Sequence, residues 1–321
     1  MRVLYFPEDF SSTEKDTSDI TDRGCAIALG FFDGVHLAHR ELIGTAISKA
    51  QKKDLIPAVF TFPTESEGVK SSSKRIYSTE QKLSIFKNLG VELCFVVRFS
   101  AVASLTPDEF IENILISCFG AKEIVCGYNF RFGRGASADS EYLRKRLQAL
   151  GVRCTVINEY RYHGEPLSSS YIRELLSKGA IQEANEALGA PYFLEGEVSR
   201  GDGRGAGLGI PTANLSIKAG GEALRLGVYA SAALVDGVLY PAVTNIGLCP
   251  TFEERENHSE TYLIDKNLEL YGKKIKVYLL DFLRDERKFH SKDELIMQIN
   301  IDKNRASEIY TELKWQELGQ N

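Results

Sequence analysis

Cys25-Ala26-Ile27-Ala28-Leu29-Gly30-Phe31-Phe32-Asp33-Gly34-Val35-His36-Leu37-Ala38-His39 carries the chain from a strand into a helix. Cys25–Gly30 is a short apolar run that suits a buried strand. From Leu37 to Lys53 the apolar residues Leu42, Ile43, Ala46 and Ala50 fall near one face of a helix. The same alternation continues downstream. Ile56–Phe62 reads as a strand. Ser78-Thr79-Glu80-Gln81-Lys82-Leu83 opens a helix, with Ser78 as its cap and Gln81 three residues on. Val91–Phe99 is a strand, and Thr106-Pro107-Asp108-Glu109 starts a helix with proline at its first position and acids at its positive end. Glu123–Gly127, Ser140–Leu150 and Val152–Glu159 continue as strand, helix, strand. Such alternation predicts a mostly parallel sheet with helices on both faces, and ligands at the carboxyl ends of its strands.

Within the opening stretch, His36 and His39 are three apart and share a face at a helix N-terminus. That end carries free N–H groups and partial positive charge, which makes it an anion site. Two imidazoles there can hydrogen-bond an α-phosphate as pyrophosphate leaves. A metal pair is an alternative, but no third ligand with suitable spacing is visible. Two ordinary surface histidines are another. The chain holds five histidines, and the clustering of two in this motif makes chance placement less attractive.

The second half changes character near Leu188-Gly189-Ala190-Pro191-Tyr192. Tyr192–Val198, Gly227–Val235, Val238–Asn245 and Lys274–Phe282 read as strands. Asp236-Gly237 between two apolar runs is a hairpin signal, because both residues tolerate positive φ. Ser291–Leu313 reads as a helix packing through Leu295, Ile296, Ile299, Ile309 and Leu313. A small antiparallel barrel closed by a C-terminal helix is expected. A boundary near Leu188 divides the chain into 1–186 and 187–321. No internal repeat or low-complexity tract is apparent, and Glu67–Lys74, with Ser71-Ser72-Ser73, reads as a surface loop.

Between the first two of these strands lies Gly201-Asp202-Gly203-Arg204-Gly205-Ala206-Gly207-Leu208-Gly209-Ile210-Pro211-Thr212-Ala213-Asn214-Leu215. Every second residue from Gly201 to Gly209 is glycine. Glycine permits positive φ and close backbone approach to a ligand, and successive N–H groups can form a nest for phosphate oxygens. The Thr212 hydroxyl and the Asn214 amide carbonyl then offer two neutral oxygens to Mg²⁺. No Gly-Lys-Ser/Thr follows, so this is not a Walker A loop. Taken alone, the glycines also suit a flexible turn between strands.

The 321 residues suggest two domains rather than one core. Hydrophobic content of 43% and charged content of 26% are ordinary for a globular protein. A net charge of −5 argues against nonspecific nucleic-acid binding but leaves room for a local basic pocket that takes a nucleotide. The six cysteines show no C-x-x-C spacing, and most sit among apolar residues, as buried free thiols do in a reducing compartment. The N-terminus lacks the long apolar region of a signal peptide, and no run approaches the ~20 apolar residues of a membrane span. A cytoplasmic protein is expected, with no membrane partner; the oligomeric state is not legible.

The motifs together resemble one family. Gly30-Phe31-Phe32-Asp33-Gly34-Val35-His36-Leu37-Ala38-His39 is similar to the G-x-F-D-G-x-H-x-G-H motif of nucleotidylyltransferases, specifically the adenylyltransferase half of bacterial bifunctional riboflavin kinase/FAD synthetases. Gly127-Tyr128-Asn129-Phe130-Arg131-Phe132-Gly133 resembles the family's segment that lines the nucleotide site. Leu167-Ser168-Ser169-Ser170-Tyr171-Ile172-Arg173 resembles its I-S-S-T-x-I-R, where hydroxyls and an arginine at a helix start bind phosphates. The serines alone would serve equally as a helix cap. In the second half, Gly201–Leu215 resembles the riboflavin kinase signature. Asn245-Ile246-Gly247, Pro250-Thr251, Leu270-Tyr271-Gly272 and Arg284-Asp285-Glu286-Arg287-Lys288-Phe289 also match. Glu260 lies where the family places its catalytic carboxylate, although on local sequence alone a strand-edge glutamate reads equally well. The sequence departs from the pattern at Phe31, Ala38, Thr64, Ser170 and Ala206; Thr61-Phe62-Pro63-Thr64-Glu65 replaces T-F-x-P-H-P without its histidine.

The resemblance runs from about Ala26 to about Leu313. It implies a Rossmann-like α/β FMN adenylyltransferase domain over 1–186 and a riboflavin kinase barrel over 187–321. Its substrates would be riboflavin, FMN and ATP, with Mg²⁺. It implies catalytic roles for His36, His39 and Glu260, and metal contacts from Thr212 and Asn214. Ligand contacts would come from Gly30, Phe32, Asp33, Gly34, Asn129, Arg131, Ser168, Ser169, Ser170 and Arg173 in the first half. In the second half they would come from Gly201, Arg204, Gly205, Gly209, Pro211, Asn245 and Arg284. Two alternatives stay open: a riboflavin kinase whose adenylyltransferase half has decayed, motivated by Thr64, and a non-catalytic flavin- or nucleotide-binding regulator. Retention of Thr212, Asn214 and Glu260 argues against the second.

Overall fold

The computed structural model describes residues 1–6, 18–64, 75–199, 211–217, 224–250 and 255–312. The Glu67–Lys74 segment, most of the Gly201–Leu215 run, Thr251 and Leu313 lie outside the described residues. The chain divides into two units, the first built mainly from residues up to Ser168 and the second mainly from Ser169 onward.

In the first unit, six strands form one sheet in the order β1-β4-β3-β2-β5-β6, with every pairing parallel. They are β1 (Arg2–Phe6), β2 (Cys25–Leu29), β3 (Ile56–Thr61), β4 (Leu93–Val97), β5 (Ala121–Gly127) and β6 (Arg153–Ile157). All residues of β2 and β4 are buried, as expected of parallel strands covered on both faces. Sequence reading did not anticipate β1, which adds an edge strand and sends Phe6 into the core. There Phe119 stacks on Phe95 at 3.9 Å and meets Phe6 edge-on at 5.2 Å. Truncating a fully buried ring such as Phe119 to alanine costs about 3–5 kcal/mol.

The first unit's helices are α1 (Ser18–Arg23), α2 (Leu37–Lys53), α3 (Thr79–Asn88), α4 (Phe99–Ala103), α5 (Pro107–Glu109) and α6 (Ser140–Ala149). Leu42, Ile43, Ala46 and Ala50 are the buried residues of α2, which packs on β2, β3 and β5. Ser78 and Gln81 form a reciprocal capping box on α3, and Thr106 and Glu109 do the same on α5. The chain then widens into a π-helix, Phe110–Cys118, a local form that often accompanies functional sites. Buried Glu123 on β5 is bracketed by Lys49 at 3.4 Å, by Lys53 and by Arg153 at 2.6 Å, which ties α2 and the edge strand β6 to β5. Strand order reverses at β2, with β3 on one side and β5 on the other. The carboxyl ends of β2 and β5 therefore flank a topological switch point.

The second unit begins with α7 (Ser169–Lys178) and α8 (Ile181–Leu188). Its six strands are β7 (Phe193–Glu197), β8 (Thr212–Ile217), β9 (Gly227–Val235), β10 (Val238–Pro250), β11 (Arg255–Leu263) and β12 (Lys274–Arg284). They run antiparallel in the order β7-β12-β9-β10-β11-β8. A bridge between Ser199 and Asn214, with Ser199 N donating to Asn214 O at 2.9 Å, links the two edges and leaves a nearly closed barrel. Asp236 and Gly237, at φ 48° and 81°, turn β9 into β10. Inside the barrel, hydroxyls of Ser231, Thr244 and Thr261 satisfy one another at 2.7 and 3.0 Å.

The closing helix α9 (Lys292–Glu312) packs on β9, β10 and β12. Its inner face comprises Leu295, Ile299, Asp302, Ala306 and Ile309. Ile296, expected to pack, is 37% exposed instead. One residue beyond Leu295, it is rotated about 100° off the stripe set by the i, i+4, i+7 spacing.

Candidate functional site

Each unit holds a cavity, and each is lined by predicted residues. In the first unit a cavity of about 630 Å³ lies at the switch point. Gly30, Phe31 and Phe32 border it after β2, Phe62 after β3, and Gly127, Asn129 and Arg131 after β5. Gly30 has no room for a side chain, since an added Cβ would stand 2.7 Å from the Phe32 ring. The turn that follows is tight, with positive φ at Phe32, Gly34 and Val35. Asp33 is buried within it.

This turn delivers His36 to the N-cap of α2 and His39 to its first turn. Their rings stack at 3.7 Å and 18°, and His39 meets Phe32 edge-on at 5.2 Å. Burial pushes the His36 imidazole down to about 4. Burial, aided by His36 and the Lys82 ammonium, pushes His39 well below the ordinary histidine range. Both rings are thus neutral near pH 7, and each offers one N–H. Nδ1 of both is buried without a hydrogen-bond partner among the described residues. Two stacked neutral imidazoles at a helix N-terminus suit a phosphate whose charge is being redistributed.

In the second unit a cavity of about 290 Å³ opens between the barrel and α9. Antiparallel register places Asn214 opposite Glu260, Glu260 opposite Asn245, Asn245 opposite Val228 and Val228 opposite Arg284. Directly paired residues share a face of the sheet, so these side chains form one row. Thr212, two residues before Asn214, shares that face, and the Asn214 amide lies 3.5 Å from its hydroxyl. Glu260 accepts an ion pair from His258 at 3.6 Å. That contact is the chief reason His258 is raised above its ordinary value, against the opposing pull of burial. Asn245 donates to Glu286 at 3.1 Å. Gly247 makes this possible, because a Cβ there would fall 2.9 Å from the Glu286 carboxylate. Arg284 is held by buried Asp302 of α9 through Nε at 3.0 Å and Nη2 at 2.7 Å.

The structure thus brings Gly30, Phe32, His39, Asn129 and Arg131 to one cavity, with His36 stacked on His39. It brings Thr212, Asn245, Glu260 and Arg284 to the other, with Asn214 in their row. Ser169, Ser170 and Arg173 stand in the first turns of α7, directly after Ser168; Arg173 approaches the Ser170 hydroxyl at 3.4 Å. Pro211 is exposed just before β8, while Gly201, Arg204, Gly205 and Gly209 lie outside the described residues. Thr64 is buried and fastened to Thr79 and Tyr77, at 2.8 and 3.2 Å. Sequence reading missed the aromatic walls of the first cavity, among them Phe60, Phe62, Phe99 and Phe110, and missed Lys82, Glu286 and Asp302. Part of the signal for the walls lay in Phe62, which follows β3, and in Phe130 and Phe132, which follow β5, within segments quoted for other reasons.

Comparison with known proteins yields two family matches, FAD synthetase over residues 18–171 and riboflavin kinase over residues 188–310. Three relatives are each described as a bifunctional riboflavin kinase/FMN adenylyltransferase. The one from Bacillus subtilis is 38% identical, covering 90% of this chain and 93% of its own. The one from Escherichia coli K12 is 33% identical over 91% and 95%, and that from Listeria monocytogenes 32% over 93% and 96%. A solved structure from Streptococcus pneumoniae, described as a macrolide-efflux protein, superposes with a TM-score of 0.82 at 28% identity. It covers 96% of this chain and 99% of that one.

Proposed function

This chain belongs to the bifunctional riboflavin kinase/FMN adenylyltransferase family, and we propose that its two cavities divide the two reactions between them. The chain phosphorylates riboflavin to FMN and adenylylates FMN to FAD. Matches to both family models set aside the one-activity and non-catalytic alternatives.

The observation that carries the division is the placement of carboxylates. Among the described residues, the lining of the first cavity includes no Asp or Glu, whereas the second is lined by Glu260, Glu286 and Asp302. Adenylylation of FMN needs no base, because the attacking phosphate is already an anion. Phosphorylation of a ribityl hydroxyl does, because that hydroxyl must lose a proton.

In the first unit the phenylalanine walls suit the planar flavin ring, and Asn129 and Arg131 suit the nucleotide. His36 and His39 then donate to the α-phosphate of ATP while the FMN phosphate attacks in line and pyrophosphate departs. Holding the reactants and stabilising charge supplies most of the acceleration. In the second unit Glu260 takes the proton of the ribityl hydroxyl, and Asn245 holds Glu286 beside it. Thr212 and Asn214 fit Mg²⁺ as neutral ligands, since their side chains converge and the amide can present its oxygen on rotation. When bound, the ion would polarise and neutralise the transferring phosphoryl group. Among the described residues no cluster of three or more His, Cys, Asp or Glu could hold a metal. Thr212 and Asn214 would supply two oxygens, and ATP phosphates and water would fill the remaining positions around the ion.

Among the described residues no helix is long and apolar enough to cross a membrane. A cytoplasmic setting, with small-molecule partners only, fits the ATP requirement and the acidic charge balance.

The test is direct. Incubate the protein with riboflavin, ATP and Mg²⁺, and separately with FMN, then resolve FMN from FAD. FMN in the first tube and FAD in both are expected. Absence of FAD from the FMN tube would remove the adenylyl-transfer role from the first cavity.

A further inference from the structure

A buried ammonium contacts two of the aromatic residues that line the cavity of the first unit. Lys82 lies in the first turns of α3, behind the Ser78–Gln81 capping box, and its side chain is 1% exposed. Its ammonium donates to Phe62 O at 2.9 Å, to Phe31 O at 3.1 Å and to Thr61 Oγ1 at 3.4 Å. Thr61 Oγ1 donates in turn to Phe31 O at 2.9 Å. The ammonium also stands 4.5 Å over the Phe31 ring. Phe31 follows β2 and Phe62 follows β3, neighbouring parallel strands paired at Leu29 and Phe60. Both phenylalanines line the cavity.

Resting on the reading that this cavity performs adenylyl transfer, we propose that Lys82 is a positioning residue for the flavin substrate: it ties the Phe31 loop to the Phe62 loop and so sets the aromatic slot that receives the flavin ring. The physical case has three parts. An ammonium has three donors, and here it meets the carbonyls of two loops and the hydroxyl at the end of β3, so a single side chain contacts both walls. Burying a charge is costly, and a neutral side chain would have sufficed for packing alone. The retained charge also raises the local potential of a cavity that must take two anionic substrates, and it helps to keep His39 neutral. The role is distinct from that of His36 and His39, because Lys82 acts through the loops and through charge rather than at the reacting phosphate.

The experiment compares full-length Lys82→Met, Lys82→Arg and Thr61→Val with the parent. Steady-state FAD formation is followed with FMN and ATP varied separately, and riboflavin phosphorylation in the same preparations reports folding of the rest of the chain. Losing one charge-assisted hydrogen bond costs about tenfold or more, and Lys82→Met removes three. Lys82→Met is therefore expected to raise KM for FMN by at least about tenfold, with KM for ATP changing much less. Lys82→Arg should recover part of the loss. Thr61→Val, which removes one hydroxyl at nearly constant volume, should shift KM for FMN in the same direction by less. An unchanged KM for FMN in both Lys82→Met and Thr61→Val overturns the proposal. So does an equal change in both KM values with a lowered melting temperature and no recovery by arginine, since that marks a purely structural lysine. If the parent made no FAD from FMN, the reading of the cavity would fail first, and the two failures are thereby told apart.

Discussion

Glu260→Gln removes a base while preserving shape, and the structure indicates how cleanly it should act. Glu260 stands in register between Asn214 and Asn245, and its side chain keeps 44% of its exposure. Its ion pair with His258 spans 3.6 Å. A pair that open to solvent is screened and contributes at most about 1 kcal/mol to stability. A domain's total stability is about 5–15 kcal/mol, so the barrel stays folded in the variant. Loss of a general base costs about 10²–10⁴ in rate, or roughly 3–5 kcal/mol in the barrier. The kinetic effect therefore exceeds the folding effect severalfold, and the two can be separated. The assay starts from riboflavin and, in parallel, from FMN, and quantifies FMN and FAD by chromatography. FMN formation should collapse by that factor while FAD formation from supplied FMN survives, because the attacking FMN phosphate needs no deprotonation. His36→Ala should do the reverse, with FMN accumulating, since removal of an oxyanion donor costs roughly 10²–10³. If Glu260→Gln lowers both activities equally in a folded protein, the assignment of one reaction to each cavity is wrong. If FMN formation is unchanged, Glu260 is not the base.

Asn214→Ala should suppress riboflavin phosphorylation severely and leave FMN adenylylation near the parental rate; undiminished kinase activity would take Asn214 out of the site. The first unit should lose stability on acidification: His36 titrates near 4 when folded and near 6.5 when unfolded, so only the unfolded chain gains a proton between those values. The loss should approach roughly 3 kcal/mol as pH falls from 6.5 to 4, and be absent above it. His36→Gln should flatten that dependence in denaturant titrations, and an unaltered slope would contradict the burial assigned to the ring. In Glu260→Gln, the imidazole of His258 should fall back toward its ordinary value, read by NMR titration, because the carboxylate is the main cause of its rise. Finally, a fragment beginning at residue 169 should melt above one beginning at 187. Asn185 of α8 donates to Leu279 O at 2.9 Å and accepts from Tyr192 N at 2.7 Å, and Arg225 N donates to Leu176 O of α7 at 3.0 Å. Equal melting of the two fragments would show that α7 and α8 do not support the barrel.

What could be read from the sequence was whatever is written locally. The capping box at Ser78, the helix start at Thr106, the Asp236-Gly237 turn and the buried face of α2 each depend on residues within a turn or two of one another. The strand β1 was not legible, because five residues with mixed burial carry no clear period. Strand β10 runs to Pro250 rather than ending at Asn245. Gly247 reads locally as a breaker, whereas in the fold it is the position where a missing Cβ admits Glu286.

The functional groups divide along the same line. His36 and His39 could be paired from spacing alone, because a helix N-terminus sets both positions. Lys82 could not be placed, because a lysine in an amphipathic helix ordinarily reads as a solvated surface residue; only the return of β3 beside β2 brings Phe31 O and Phe62 O to its ammonium. Arg284 and Asp302 pair only once α9 has docked on β12. The row of Asn214, Glu260 and Asn245 is the extreme case. Its members lie in three separate motifs, and none of these motifs says locally that it meets the other two. Their meeting depends on antiparallel register, and a slip of one residue would turn every side chain of the slipped strand to the opposite face. The tight Asp236–Gly237 turn fixes β9 against β10. The interlocked hydroxyls of Ser231, Thr244 and Thr261 then reinforce the register of β9, β10 and β11 from inside the barrel. A register error would leave those hydroxyls buried and unpaired at about 1–3 kcal/mol each. The polar pairing inside the barrel thus helps to keep Glu260 on the outer face, between its two asparagines.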